Sequence, residues 1–466
     1  MTLEKYTFLQ PILVYLGLLC FSILSLPFKN RGKDFAHFVL IIAVLLFSFL
    51  LNQEPSYKMT EFFILNDYKI KFISVLSFFT IIIFLLNGRA EKKDVQNSLL
   101  AAFMLLGSIF LVGATEFTTF FVALEVISLM NYAQVTLSNS ENAKESAIKY
   151  FIQGSIFSAF MLLGISFFMG STGGFNFSEF KVLNQGLYIV SVAILFLVAC
   201  FKMGAFPFHA WMPDVYSNVD RGNLASNFLI TKLVVGYSFL SVIIRLINFA
   251  DPKLQEFLVY GILVISVLSA FYGNMIGLAQ NQFKRIIAYS SLAHAGYMLM
   301  TLCLTMEEGY EKQLMFYLVF YSISATGTIL LINKILQKGP NIDFYDSLKG
   351  FFYRDGFSSS LLCLFVLSLA GMPLTSGFTT KYLLFTNYFR EGFNLEATAV
   401  LISTVIGLGF YIKFLIVLFM EENISENSAT NSTGGLLLVD LKDKLIHLLL
   451  ALLVLLGGIA PSLFLR

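Results

Sequence analysis

Residues 185–216 read QGLYIVSVAILFLVACFKMGAFPFHAWMPDVY. The stretch carries no charge from Gln185 to Phe201, then places Lys202, breaks at Pro207, adds His209 and breaks again at Pro213. A hydrocarbon core about 30 Å thick is crossed by about 20 apolar residues, so this is a membrane helix. It is an unusual one, because an ammonium sits inside the apolar run and a helix breaker follows it.

The rest of the chain has the same character. Of 466 residues, 57% are hydrophobic and 13% charged, with a mean hydropathy of +0.78; a soluble domain carries about 25% charged residues. Strands of a membrane barrel would alternate polar and apolar residues, and these runs do not. The expectation is an all-α polytopic membrane protein of about 14 transmembrane helices. They begin near residues 7, 35, 69, 96, 116, 146, 186, 222, 255, 286, 313, 357, 395 and 441. The first, around FLQPILVYLGLLCFSILSL, lacks the basic leader and small-residue cleavage site of a signal peptide and reads as a retained helix. The longest polar stretches are too short for a separate soluble domain. Cys20, Cys200, Cys303 and Cys363 all fall in apolar spans, as buried thiols packing like small hydrophobes.

The basic residues divide informatively. Most of the 31 fall in odd-numbered connections, among them Arg31, Arg89, Lys93, Lys284, Arg285, Lys334, Arg354 and Lys444. The positive-inside rule then puts both termini on the outer, periplasmic or intermembrane-space, side. Four lysines remain inside apolar spans: Lys202, Lys232, Lys381 and Lys413, joined by Glu125 in TTFFVALEVISLMNYAQV. Each such charge costs about 2.5–3.5 kcal/mol at a span centre, and such groups face the bundle interior, pair, or line a hydrated path. A lysine beside a movable glutamate keeps its proton when the pair is close and gives it up when the pair opens. Arginine cannot do this. The competing reading is that the lysines form static ion pairs or snorkel to an interface, with Lys413 the readiest case because it lies near a span end.

Broken helices are tolerated in membranes only inside protein or along water-filled cavities. Lys202 precedes Pro207 in the seventh span and Lys381 follows Pro373 in the twelfth; Lys232 in the eighth is echoed by Lys413 in the thirteenth. Units five spans apart have opposite orientation, which gives two inverted five-helix repeats with broken helices 7 and 12, a transporter pattern. The expected domains are three N-terminal helices over 1–95, repeats over 96–247 and 254–420, and a polar loop with a last helix over 421–466. His294, near Ser290 and Ser291, is a further titratable candidate for a hydrogen-bonded water chain. His209 reads as a structural histidine. His37, His209, His294 and His447 show no facing pair for haem, and no phosphate loop, dinucleotide fingerprint or paired-cysteine framework occurs. No basic patch with interleaved aromatics suggests nucleic acid.

ALEVISL, FKMGAFPFHAWMPDVY, NQFKRIIAYSSLAHAGYMLM and LSLAGMPLTSGFTTKYLLF, four separated motifs in that order along the chain, resemble the antiporter-like subunits of respiratory complex I. Within that family the chain looks most like subunit 2 of mitochondria, called subunit N in bacteria. The resemblance covers about residues 95–420, and PDVY favours this subunit over its paralogues. It implies a proton-translocating membrane-arm subunit of NADH:ubiquinone oxidoreductase with no metal or redox cofactor of its own. Its partners would be the other membrane-arm subunits, including the paralogous antiporter-like ones, with lipid and protons. By the family pattern Glu125 and Lys202 form a charge pair, Lys232 is the central relay, and Lys381 communicates with the opposite face. His294 and Lys413 are weaker members of the relay. Where the family has a Pro/Thr-rich link after PDVY, this chain reads SNVDRGN, a departure that bears on the loop before Lys232. The 51 Phe and 21 Tyr beside 9 Pro suggest AT-rich coding, organellar or otherwise. The expected location is the mitochondrial inner membrane, with the bacterial plasma membrane as the alternative. The rival functions are a subunit of a multisubunit cation/proton antiporter, and a structural membrane-arm subunit with static ion pairs.

Overall fold

The computed structural model describes residues 9–25, 29–53, 56–60, 62–87, 92–138, 141–219, 227–304, 310–335, 348–420 and 439–465. Lipid offers no partner to backbone N–H and C=O groups, so each spanning segment must satisfy its own, and nearly every apolar run is helical. In chain order the helices are α1 Leu9–Ser25, α2 Lys29–Leu51, α3 Asp67–Asn87, α4 Lys92–Gly113, α5 Phe117–Thr136, α6 Glu141–Thr172 and α7 Gln185–Met203. After α8 Trp211–Asn218, a π-helical turn Asn227–Lys232 runs straight into α9 Leu233–Asn248. Then come α10 Pro252–Leu278, α11 Phe283–Met300, α12 Tyr310–Ile335, the short α13 Phe351–Arg354, α14 Gly356–Ala370 and α15 Ser376–Arg390. The series ends with α16 Asn394–Phe419, α17 Leu441–Ile459 and the short α18 Ser462–Leu465. Among the described residues, 10 helices are long and apolar enough to cross a membrane, and three shorter apolar ones accompany them.

The membrane-embedded part is all-helical, and one connection adds a small β element. The polar stretch after α2 forms an antiparallel hairpin of β1 Tyr57–Thr60 and β2 Phe63–Leu65. Phe63 makes an isolated bridge to Ala114 and packs so closely on Gly113 that a side chain there would overlap its ring. The hairpin thus finishes its hydrogen bonding against the end of α4, which no hydropathy pattern announces.

The chain divides into two compact units. Unit 1 comprises residues 1–202 and 218–258, and unit 2 comprises 203–217 and 259–466. The division falls between Lys202 and Met203, at the break in the opening stretch.

Unit 1 is cross-linked by aromatic residues. Tyr15 donates to the Ala102 carbonyl at 2.8 Å and Tyr188 to that of Leu246 at 2.6 Å. Phe72 lies 4.6 Å from the Tyr237 ring, and Phe120 meets Phe239 edge-on at 5.1 Å. Helix α9 is the innermost of this unit, 83% of its apolar window being buried against 28% for α6, which therefore faces lipid or a partner. In unit 2, α10 and α11 cross through small residues. A Cβ on Gly273 would come within 2.6 Å of the Ala293 nitrogen, and one on Gly296 within 2.5 Å of the Ser266 carbonyl. Small residues let membrane helices approach this closely where no hydrophobic force exists between them.

One end of unit 2 is tied by ion pairs. Asp355 caps α14, accepting from the Ser358 N–H at 3.1 Å and the Ser358 hydroxyl at 2.9 Å, and pairs with Lys444 at 2.7 Å. Lys334 at the end of α12 pairs with Asp443 at 3.0 Å. Burial works against the charged form of Asp355, but Lys444 and the Ser358 hydrogen bonds outweigh it and hold this carboxyl below its ordinary value. Its stabilising effect is therefore complete above about pH 4 and is lost as pH falls through the lower folded-state value. The difference in detergent melting temperature between wild type and Asp355→Asn should be constant from neutral pH down to that point and close below it. Separately, Gly296→Ala should destabilise the chain by about 1–3 kcal/mol, because the helix backbone itself has to move; a thermal melt in detergent measures it.

Candidate functional site

Three of the candidate residues, Lys202, Lys232 and Lys381, are held at irregularities in their helices. In unit 1, α5 carries Glu125 and the last turn of α7 carries Lys202. Their N–O separation is 3.7 Å, with the lysine side chain 7% and the glutamate 25% exposed. That exceeds the 2.7–3.2 Å of a hydrogen bond, and each group makes its short contact elsewhere. Lys202 donates to the Ser128 hydroxyl at 2.8 Å, and Ser158 donates to Glu125 at 2.6 Å. Ser128 and Ser158 in turn bond the Leu124 and Gly154 carbonyls of their own helices. The pair is thus neighbouring but not closed, each charge being carried by its own serine.

The Phe201 ring stacks flat on Phe157 at 4.0 Å, which fixes the turn of α7 that aims Lys202 inward. Gly154 of α6 sits against the Tyr132 hydroxyl of α5, where any side chain would collide. That close approach brings Ser158, one turn on, to Glu125.

Lys232 is the last residue of the π-helical turn and is 6% exposed. Its neighbour Thr231 exchanges hydrogen bonds with the Asn131 amide at 2.9 and 3.2 Å. A π turn widens the helix and leaves its carbonyls out of step with the following α-helix, and such turns recur at functional positions. The SNVDRGN departure lies partly in residues 220–226, outside the described residues.

In unit 2 the counterpart of the α7 break lies between α14 and α15. Helix α14 ends on Gly371 in the left-handed conformation, φ 85°. The Lys381 ammonium donates to the carbonyls of Leu369 at 3.1 Å and Ala370 at 3.0 Å and lies 5.3 Å from the centre of the Tyr297 ring. The last carbonyls of a helix lack intrahelical partners and carry partial negative charge; here a buried ammonium takes them. No carboxylate is needed to hold it. Gly371 is required twice over, since a Cβ would be strained at that φ and would press within 2.9 Å of the Lys381 chain.

His294 on α11 is 5% exposed, with Nδ1 2.8 Å from the Tyr317 hydroxyl and its ring 4.4 Å from that of Tyr321. The flanking Ser290 reaches Tyr411 at 2.5 Å, and Asn274 bridges Tyr297 and Ser403. His294 and Lys381 therefore share a polar neighbourhood through Tyr297, which lies 5.3 Å from each. Lys413 differs. It is exposed and donates to the Asn281 side chain at 2.9 Å, whereas Lys232, its counterpart in the sequence pattern, is buried. His209 is buried between the Phe206 and Tyr272 rings. Among the described residues no group of three or more His, Cys, Asp or Glu side chains is arranged to hold a metal ion. Sequence reasoning missed Ser128, Ser158 and the Leu369–Ala370 carbonyls. A serine one turn from a carboxylate-bearing position is too common to stand out.

Buried lysines at helix breaks in a multi-pass helical membrane protein are a pattern found along ion and proton pathways. Comparison with known proteins narrows this. Residues 114–407 match the family model described as NADH:quinone oxidoreductase/Mrp antiporter, TM. The chain is 33% identical to NADH-quinone oxidoreductase subunit N of Bdellovibrio bacteriovorus, over 72% of this chain and 70% of the relative. It is 29% identical to subunit N 1 of Chloroherpeton thalassium over 95% of this chain and 88% of that one. The fold matches a chain of respiratory complex I from Thermus thermophilus with a TM-score of 0.80 at 22% identity, covering 98% of both. It matches a chain of the Mrp complex from Dietzia sp. with a TM-score of 0.83 at 18% identity, covering 100% of this chain and 96% of that one. The chain belongs to the family of antiporter-like membrane subunits of NADH:quinone oxidoreductase, in its subunit N branch.

Gly371→Ala should lower activity and stability together: the positive φ alone costs about 1 kcal/mol, and the new methyl displaces Lys381. Quinone-reductase turnover and a thermal melt of the same preparation read both effects.

Proposed function

We propose that this chain is a proton-translocating membrane-arm subunit of a respiratory NADH:quinone oxidoreductase, and that Glu125, Lys202, Lys232 and Lys381 exchange the proton. The observation that carries this reading is that Lys202, Lys232 and Lys381 each sit at an interruption of a helix. Lys202 lies in the last turn before a break, Lys232 closes a π turn, and Lys381 fills the carbonyl end of a broken helix. An interruption supplies unpaired backbone groups and room for water, which a proton-exchanging lysine needs and a static ion pair does not.

The roles follow from the contacts. At 3.7 Å, with both partners serine-bound, the Glu125–Lys202 pair needs only a small side-chain shift to close or open. Closing it holds the proton on Lys202 and opening it releases the proton. Among the described residues Lys381 is bound by neutral carbonyls and a ring face, with no carboxylate to trap its proton. Lys232 is the central relay. His294, hydrogen-bonded to Tyr317, is an auxiliary station, and Lys413 serves at the exposed edge.

The architecture that fits has fourteen crossings: three N-terminal helices over 1–95, two inverted five-helix repeats over 96–247 and 254–420 with the seventh and twelfth crossings broken, and a last helix within 421–466. Both termini lie on the outer side. The relatives compared are bacterial, which favours the bacterial plasma membrane over the mitochondrial inner membrane. The partners are the other membrane-arm subunits, paralogues included, and the electrons stay in the rest of the complex.

Lys232→Met should abolish this subunit's share of quinone-linked proton translocation in sealed vesicles while the complex assembles. Unchanged translocation with intact assembly would return these lysines to static ion pairs. Against the rival cation-antiporter reading, sodium is the discriminating ion. Translocation independent of added Na⁺ is expected here, and dependence on it would favour the cation-antiporter reading.

A further inference from the structure

Unit 2 holds a set of buried polar groups that the reading above leaves unused. Helices α12, α14 and α17 pack on one another pairwise. One end of this trio carries the Lys334–Asp443 and Lys444–Asp355 ion pairs. One turn inward from Asp443 lies His447, fully buried, with Nδ1 2.7 Å from the Asp443 carbonyl oxygen. A carbonyl only accepts, so Nδ1 carries the hydrogen, and Nε2 of the neutral ring is a bare acceptor. Among the described residues Nε2 has no hydrogen-bond partner. Ser359, one turn inward from Asp355, and Thr326 and Ser322 on α12 are equally buried, and among the described residues their hydroxyls also lack a partner.

Buried polar atoms are almost always hydrogen-bonded to protein or ordered water. Four such atoms on three mutually packed helices, in a polar setting, are what bridging water satisfies. Deeper in, the polar contacts become direct. Ser324 donates to Ser368 at 2.9 Å, Ser368 lies 3.5 Å from Ser376, and the Gly377 N–H donates to Ser368 at 3.3 Å. The next two carbonyls of α14, Leu369 and Ala370, are those that hold Lys381. At 1.5 Å per residue, Ser359 lies about 6 Å and Ser368 about 20 Å along α14 from Asp355. Phe365 stands at intermediate depth, edge-on to His447 at 6.5 Å and pressed on Gly327. The polar stations therefore lie on either side of an aromatic ring and form no open pore.

We propose that α12, α14 and α17 carry a water-supported proton file from the Lys334–Asp443 end to Lys381, with His447 as its proton store. A hydronium in the file protonates Nε2, leaving water, and Nε2 returns the proton to the next water inward; Nδ1–H stays on its carbonyl throughout. Between that end and Lys381 the described residues of these helices offer hydroxyls and one imidazole and no carboxylate, so the file suits a proton and gives a bare Na⁺ no counter-charge. It opens on the face rich in basic residues, and it rests on Lys381 being a proton station.

The test uses the assembled complex in sealed vesicles and reads protons translocated per electron, beside assembly and turnover. His447→Leu, and separately the near-isosteric pair Thr326→Val with Ser359→Ala, run in parallel with Lys381→Met. The file predicts a loss of the same fraction in all three, with no further loss when His447→Leu is combined with Lys381→Met. A merely structural role would lower assembly or turnover and leave the ratio at wild type. Should His447→Leu not assemble, the hydroxyl pair decides alone. A wild-type ratio in the file variants beside a lowered one in Lys381→Met overturns the file and leaves the proposed function standing. A wild-type ratio in Lys381→Met itself removes that station and the file with it.

Discussion

A buried ammonium in a bilayer-spanning protein must find electron density, and Lys381 finds it at the end of a helix. Lys381 is held by two carbonyls that α14 cannot use internally because it stops at Gly371. The break and the lysine explain each other. Without the break those carbonyls would bond within the helix; without the lysine two acceptors would lie unpaired where water is scarce, each costing several kcal/mol. The left-handed turn at Gly371, the tight seat of Gly377 on the Ser368 carbonyl and the packing of α15 against α17 all serve to keep this junction closed.

Unit 1 solves the same problem with a counter-charge. Lys202 also ends a helix, but its companions are a serine hydroxyl and a carboxylate 3.7 Å away. The difference has functional weight. A lysine held by carbonyls keeps a constant environment until water reaches it, whereas one paired with a partly exposed glutamate responds to anything that moves the glutamate. Serines at 2.6 and 2.8 Å keep that pair between closed and open, so that the smallest rearrangement changes the electrostatic balance.

Much of this was legible in the sequence. Hydropathy fixed the helices because length and apolarity are a direct demand of the bilayer. Lys202, Lys232, Lys381 and Glu125 stood out because charge is so rare there, and Pro207 and Pro373 marked the breaks. What stayed hidden has no local signature. The π turn before Lys232 adds one residue to a helix without changing its composition. The serines beside Glu125 and Lys202 owe their role to two helices brought together by Gly154 and Tyr132. The hairpin after α2 forms because the end of α4 offers it a bridge. Lys413 looked like a twin of Lys232, yet one is exposed and the other buried, since apolarity of the flanking residues cannot say which face of a helix meets lipid.

The two units also differ in where their spare polarity lies. Among the described residues of unit 2, polar side chains run along α12, α14, α15 and α17 as serines, threonines and a histidine, with ion pairs confined to one end. Hydroxyls of this kind do little for stability in a membrane core, where interhelical hydrogen bonds average well under about 1 kcal/mol. Alanines and valines of nearly the same shape would pack as well and cost nothing to desolvate. Polar groups that stability does not require, aligned on the buried faces of three packed helices and ending at the carbonyls that hold Lys381, are accounted for by water and the protons that water carries.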